Sequence, residues 1–273
     1  MTSLRDEILE QPDIVARLIE RERPHSTRLV SRWANSGIHY VTIAARGTSD
    51  NAATYGKYVF AALAQLPVAL ATPSLYTLYH SPPLLRDTLL IAISQSGEST
   101  DILEVLREAK RQGAPTLAIT NRADSTLALE AGETILLGAG EEKSIAATKT
   151  YSASLAALSL LAAVWSGKPS HLNELNAVAG FMHVVLEVEE AARVLAIGLV
   201  NMSDIEIIGR GFNYATAFEL ALKLKELAYV HAEPYSSADF LHGPVALVDE
   251  RFRAWVFAPT GATYSNAVEF TER

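Results

Sequence analysis

The stretch Tyr40-Val41-Thr42-Ile43-Ala44-Ala45-Arg46-Gly47-Thr48-Ser49-Asp50-Asn51 decides the fold. Its first six residues form a short apolar run of strand type, Gly47 ends the run, and the hydroxyl and amide side chains that follow open a helix over 51–65. A strand with no polar alternation is buried on both faces, which is the condition of a parallel sheet covered by helices. The same alternation continues outward. Strands are expected at 89–93, 116–119 and 134–137, with helices at 100–112 and 145–166. Upstream, residues 4–34 read as helical with a break at Pro24. The longest apolar stretch, about 153–165, falls short of the roughly 20 residues a membrane span needs and reads as a buried helix.

The opening stretch recurs. Shifted by 164 residues, Ala45-Arg46-Gly47 falls on Gly209-Arg210-Gly211, and strand 40–45 falls on Ile205-Glu206-Ile207-Ile208-Gly209. Strand 89–93 falls on Arg253-Ala254-Trp255-Val256-Phe257, and Gly97 meets Gly261. Strand, turn and helix keep step, which is the mark of a duplicated α/β domain. Residue 273 corresponds to position 109 of the first copy, so the second copy is expected to stop short, without counterparts of two strands and a helix. The implied divisions are an N-terminal helical segment 1–35, a first domain 36–168, a helical connector 169–200 and a second domain 201–273.

Composition excludes several classes of function. A formal charge of −8, with no cluster of Lys and Arg, argues against a nucleic-acid partner. The chain has no cysteine, which removes disulfides, thiol nucleophiles and thiolate metal sites. None of the seven histidines has metal-ligand spacing, so neither metal nor cofactor is expected. The acidic start Met1-Thr2-Ser3-Leu4-Arg5-Asp6-Glu7 lacks the basic and apolar order of a secretory signal, so a cytoplasmic protein with no membrane partner is the default expectation.

Ligands of an open parallel sheet sit beyond the carboxyl ends of its strands. Two of those ends are rich in small hydroxyl residues, Arg46-Gly47-Thr48-Ser49-Asp50-Asn51 and Ser94-Gln95-Ser96-Gly97-Glu98-Ser99-Thr100-Asp101. Glycine permits close approach of the backbone, hydroxyls donate to phosphate oxygens, and a helix N-terminus adds free N–H groups. Each hydroxyl could equally be a helix cap. Two adjacent strand ends built alike favour an anion site. Neither loop carries a dinucleotide fingerprint or a P-loop ending, so the ligand should be smaller than a nucleotide. A third loop, Glu142 to Lys149, precedes another helix and can close the pocket. The second copy has lost this cradle, with Phe212-Asn213 and Ala258-Pro259-Thr260 at the matching places.

What the second copy adds is ionisable. Glu219, Lys223 and Glu226 fall at i, i+4 and i+7 of a helix over 214–227, within an arc of about 60°, while Leu220, Leu224 and Leu227 form its apolar side. Spacing of this kind most often marks a solvated Glu–Lys face. Further on, His242 precedes Gly243-Pro244 in a constrained loop, where an imidazole can be held for acid–base work.

Together these segments resemble the double SIS (sugar isomerase) proteins, in particular the isomerase half of glutamine:fructose-6-phosphate amidotransferase and the stand-alone SIS-type glucosamine-6-phosphate deaminases. The matching residues are Glu7-Ile8-Leu9-Glu10-Gln11-Pro12, Gly47-Thr48-Ser49, Ser94-Gln95-Ser96-Gly97-Glu98, Ala146-Ala147-Thr148-Lys149, Glu219 through Glu226, His231-Ala232-Glu233 and His242-Gly243-Pro244. The resemblance implies two tandem SIS domains, each a flavodoxin-like three-layer sandwich around a parallel sheet, in a homodimer with a shared active site. It implies that Gly47, Ser49, Ser94, Gln95, Ser96 and Ser99 hold a sugar phosphate, with Thr48, Ala147 and Glu219 near it. Glu226 would shuttle the proton between C1 and C2, His242 would assist ring opening from a neighbouring subunit, and Lys223 would polarise the substrate. Two departures stand out. Arg46 occupies the place where the amidotransferases usually have cysteine, and the family's imine-forming C-terminal lysine has no counterpart in these 273 residues. With no glutaminase domain or cysteine in hand, the expected reaction is conversion of glucosamine 6-phosphate to fructose 6-phosphate and ammonia, or its reverse. The alternatives are the isomerase subunit of a split amidotransferase and a non-catalytic sugar-phosphate sensor.

Overall fold

The computed structural model of the protein describes residues 4–272. It divides into two compact units between Leu186 and Glu187. Both are parallel α/β structures, as the alternation of apolar strands and helices requires.

In the first unit, helix α1 (Leu4–Trp33) precedes β1 (Tyr40–Ala44), α2 (Thr48–Val59), β2 (Val68–Leu70), α3 (Ser74–Thr77) and β3 (Thr88–Ile93). Then come α4 (Thr100–Arg111), β4 (Thr116–Thr120), α5 (Thr126–Glu130), β5 (Glu133–Leu136), α6 (Lys149–Trp165) and α7 (Pro169–Leu186). The five strands are all parallel, in the order β2-β1-β3-β4-β5. This order reverses direction between β1 and β3, which makes their carboxyl ends the switch point of the sheet.

Both faces of the sheet are covered. Val41, Ile43, Leu89, Ile91, Leu117 and Ile119 point to one side, where α1, α2, α6 and α7 pack, and Leu90, Ala92 and Ala118 point to the other, under α3, α4 and α5. Every residue of β3 and β4 is buried, and each large aliphatic side chain so placed contributes about 1.5–3 kcal/mol. Alanines 153, 156, 157, 162 and 163 of α6 are buried, and small side chains of this kind let neighbouring elements come close.

Three local expectations are corrected. Helix α1 does not break at Pro24; it runs unbroken through Pro12 and Pro24. The stripe Ile14, Val15, Leu18, Ile19, Leu29, Val30 and Trp33 is buried along its length, and that burial outweighs the roughly 3 kcal/mol cost of an internal proline. Helix α2 starts at Thr48 rather than Asn51, so the hydroxyl pair belongs to its first turn, and a π-helical turn (Phe60–Ala64) closes it. Helix α6 begins only at Lys149, leaving the preceding segment as a loop.

The second unit contains α8 (Glu189–Gly198), β6 (Asp204–Gly209), α9 (Asn213–Ala228), β7 (His231–Ser236), α10 (Ser237–Phe240), β8 (Ala254–Val256) and α11 (Tyr264–Glu272). A 3-10 turn (Pro244–Leu247) follows α10. Its sheet has three parallel strands among the described residues, ordered β7-β6-β8. This is the β2-β1-β3 order of the first unit, which is what the 164-residue repeat requires. Ile205, Ile207, Ala217, Ala221 and Ala232 form its core, with Leu220 and Leu224 packed against them. Leu227 does not belong to this apolar side. It is 43% exposed, one residue before the helix ends at Ala228.

Candidate active site

The carboxyl ends of β1 and β3 open into a cavity of about 220 Å3 within the first unit. Arg46, Thr48 and Ser49 line it from the first loop and Gln95 from the second. Glu142, Ser144, Ile145 and Ala147 line it from the third loop, and Thr150, Tyr151 and Ser154 from α6. The volume is below that of pockets built for drug-sized ligands and suits a small polar one.

The backbone that shapes this cavity depends on two glycines. Gly47 sits at φ 57° and ψ −133°, a conformation open to glycine that turns the chain from β1 into α2. Gly97 has φ 69°, and a Cβ there would lie 2.1 Å from Ser125 Oγ and 2.4 Å from Ser125 Cβ. The second loop therefore rests directly on the N-cap of α5. Ser125 makes a true cap, accepting from the Ala128 N–H. The Leu127 N–H donates to Gly97 O at 3.0 Å. Glu98 completes the anchor. Its carboxylate accepts from the Thr126 N–H at 2.9 Å and the Thr126 hydroxyl at 2.8 Å, which holds its carboxyl below the usual range.

Within that loop the hydroxyls take different roles. Ser94 is buried and its Oγ accepts from the Gly97 N–H at 3.1 Å, while Ser96 Oγ accepts from the Glu98 N–H at 3.3 Å. Ser99 is the N-cap residue of α4, yet its side chain makes no capping bond. The side chains of Ser49, Gln95 and Ser99 have no hydrogen bond to another described residue, and Gly47, the N-cap of α2, has no side chain to offer one. A helix cap would spend its hydroxyl on the backbone; these three side chains are unspent. Arg46 spans the two loops, its Nη2 2.6 Å and Nε 3.1 Å from Asp101 Oδ2.

The third loop is pinned from several sides. Glu142 accepts from the Thr148 N–H at 2.8 Å, the Thr150 N–H at 3.2 Å and the Thr150 hydroxyl, which occupies two of the N–H donors at the start of α6. Ala146 is fully buried, whereas Ile145 is 89% exposed.

In the second unit, Lys223 Nζ lies 2.8 Å from Glu226 Oε2 and 3.2 Å from Glu219 Oε1. Glu219 is buried on α9, so its pairing with Lys223 offsets part of its desolvation. One cation thus stands between two carboxylates. His242 is exposed and lines a separate cavity of about 390 Å3, with Arg210, Ser237, Asn266 and Glu269. The fold therefore brings together Thr48, Ser49, Gln95 and Ala147 in one cavity and Glu219, Lys223 and Glu226 on one helix face, while Gly47, Ser94, Ser96 and Ser99 shape the cradle loops without lining the cavity. Sequence reasoning does not single out Thr150, Tyr151 and Ser154. Their i, i+1, i+4 spacing marks one helix face, but α6 is otherwise so apolar that it reads as wholly buried.

Among the described residues, no group of three or more His, Asp or Glu could hold a metal, and no helix is long and apolar enough to cross a membrane.

A doubly wound parallel sheet with a hydroxyl-lined pocket at its switch point, followed by a second unit that repeats its central strand order without the pocket's hydroxyls, defines a class of small-ligand α/β proteins. Within that class the SIS domain model matches residues 38–164 and 198–267, and the chain belongs to the SIS domain family. It is 37% identical over 275 residues to a glutamine–fructose-6-phosphate aminotransferase (isomerizing) of Thermus thermophilus, covering 96% of this chain and 45% of the relative. The chain thus spans about half the length of the curated relatives it matches. Among solved structures, a protein of Silicibacter pomeroyi DSS-3 provisionally named a phosphosugar isomerase superposes with a TM-score of 0.91 at 36% identity, over 99% of this chain and 82% of that one. The C-terminal domain of glucosamine-fructose-6-phosphate aminotransferase from Francisella tularensis gives 0.88 at 28% identity, over 98% and 78%.

Proposed function

We propose that the protein is an amino-sugar-phosphate isomerase and deaminase that interconverts glucosamine 6-phosphate with fructose 6-phosphate and ammonia. The observation that carries the reading is the set of unspent polar side chains, Ser49, Gln95 and Ser99, on the two loops at the switch point of the first sheet. Hydroxyl and amide donors beside helix N-termini suit a phosphate monoester. The names of the relatives, isomerising aminotransferases that act on fructose 6-phosphate, support the same substrate class.

The reading divides the work. As the family resemblance implies, a cradle like that of the first unit anchors the phosphate, and ionisable groups like those of the second unit move protons. His242, from a second copy as the family resemblance implies, donates to the ring oxygen as the pyranose opens to the C1 aldehyde. Glu226 removes the C2 proton and returns it to C1 while O1 gains a proton and the amine gives one up, which converts the 2-amino aldehyde into a 2-imino alcohol. Water then adds at C2, and the C2–N bond breaks to release ammonia and the ketone. Lys223 steadies the enolic oxygen as negative charge develops there. No oxidant or metal is needed for this balance.

The test is ammonia release from glucosamine 6-phosphate by the protein, wild type against Glu226→Gln. Loss of about 100-fold or more in the variant is expected for a proton-transfer base. Equal turnover in both removes Glu226 from the mechanism. Hexosamine formation that requires glutamine and a second protein favours the isomerase subunit of a split aminotransferase instead.

A further inference from the structure

The third loop has an anchor outside the catalytic reading. Glu7 of α1 is fully buried, and its carboxylate accepts the Lys143 N–H at 2.6 Å and the Ser144 N–H at 3.3 Å. One turn further along α1, Glu10 Oε2 pairs with Lys149 Nζ at 2.6 Å, and that lysine is almost wholly buried. Helix α1 therefore grips the loop at both ends, at 143–144 and at 149. Ser144 at the first grip and Ile145 and Ala147 between the two are three of the residues that line the cavity.

Taking a carboxylate and an ammonium out of water is expensive, and apolar residues would pack α1 against α6 at least as well. Charged groups offer what apolar packing lacks, a direction. The Glu7 oxygens fix where two consecutive peptide N–H groups point, and those peptides set the path of the loop over the cavity. Burial pushes the Glu7 carboxyl up, but the N–H donors of Lys143 and Ser144 and the nearby Lys149 hold it below its ordinary value, so it is an anion at neutral pH.

We infer that Glu7, helped by the Glu10–Lys149 pair, is a positioning residue that holds the Ser144–Ala147 segment against the sugar part of the ligand, while the phosphate is held by the other two loops. The inference rests on the sugar-phosphate reading of the cavity. It separates the two parts of the ligand. Loss of Glu7 should loosen the grip on the sugar and leave the grip on phosphate intact.

The experiment titrates fructose 6-phosphate and inorganic phosphate against the full chain, as wild type, Glu7→Gln and Glu10→Gln. Amide hydrogen exchange is followed at Lys143 and Ser144, with thermal unfolding recorded for each protein. Glu7→Gln is expected to weaken fructose 6-phosphate about tenfold and inorganic phosphate by less than about twofold, with faster exchange at both amides. Equal weakening of both ligands, or unchanged binding of both, overturns the inference. Where Glu7→Gln does not fold, Glu10→Gln decides on the same readouts; its side chain is 44% exposed, and about threefold weaker binding confined to the sugar phosphate is expected. A wild type that binds neither ligand defeats the sugar-phosphate reading. In that case unchanged exchange at Lys143 and Ser144 in Glu7→Gln separately defeats the grip on the loop.

Discussion

Gly97→Ala should damage stability and ligand binding together, and the structure lets the two contributions to stability be separated. Gly97 has φ 69°, which for alanine costs about 1–2 kcal/mol. The added methyl would also meet Ser125 Oγ at 2.1 Å, Ser125 Cβ at 2.4 Å and Thr120 Oγ1 at 3.1 Å. Ser125 cannot yield freely, since its hydroxyl caps α5 and also donates to Arg122 O at 2.8 Å. Overpacking of this type adds about 1–3 kcal/mol. The sum is about 3 kcal/mol, or roughly 6–12 °C in Tm for a unit of this size. Gly113 supplies the control. It has φ 80°, and nothing lies within 4 Å of where a methyl would stand, so Gly113→Ala should lose only the conformational share, about 1–2 kcal/mol. Calorimetric unfolding of both variants, with phosphate titrated into each, reads the difference. Equal destabilisation by the two substitutions, or a Gly97→Ala protein with wild-type phosphate affinity, refutes the contact between cradle and cap as the shaping element.

Ser99→Ala should leave stability within about 0.5 kcal/mol, because no capping bond is lost, whereas Ser125→Ala should cost about 1 kcal/mol. Phosphate affinity should fall several-fold in Ser99→Ala, measured by titration calorimetry. Glu206→Gln should stabilise the second unit by about 1 kcal/mol at pH 7, because Glu206 Oε2 is buried with no hydrogen-bond partner among the described residues. Burial first, and the facing Glu233 second, push the Glu206 carboxyl above its ordinary value of 4.5. A folded-state pKa above the unfolded one means the ionised group opposes folding. The wild-type deficit should therefore open as pH rises past 4.5 and shrink below it, as unfolding scans of both proteins at several pH values would show.

Much of the architecture is legible in the sequence because it follows from periodicity. An unbroken apolar strand needs cover on both faces, and the 164-residue register predicts that β6 and β8 repeat β1 and β3, which pair in the same way in the two sheets. What periodicity misreads depends on tertiary packing. Pro24 breaks a helix in isolation, but not one whose buried stripe runs from Ile14 to Trp33. Leu227 fits the apolar side of α9 by angle, yet it is 43% exposed in the last turn of the helix and takes no part in the core that Leu220 and Leu224 join. The short strand β2 is invisible in the sequence because Val68-Ala69-Leu70 is too brief to show a period.

The candidate site is half legible for a different reason. At a helix N-terminus, serine and threonine serve capping and anion binding with the same atoms, so composition alone cannot separate the two. Geometry does. Ser125 and Ser236 direct their oxygens to backbone N–H groups of the helices they precede, and are caps. Ser99 occupies the same kind of position without that bond, and Ser49 lies in the first turn of a helix preceded by glycine. At the start of α6, by contrast, Glu142 already takes the Thr148 and Thr150 N–H groups. Three helix starts adjoin the cavity loops, and among the described residues those of α2 and α4 each carry a serine, Ser49 and Ser99, whose hydroxyl makes no hydrogen bond, at a terminus whose N-cap residue makes no side-chain cap. The anion is therefore expected between the first and second loops, which leaves the third loop, held by Glu7 and Glu142, to meet whatever the phosphate carries.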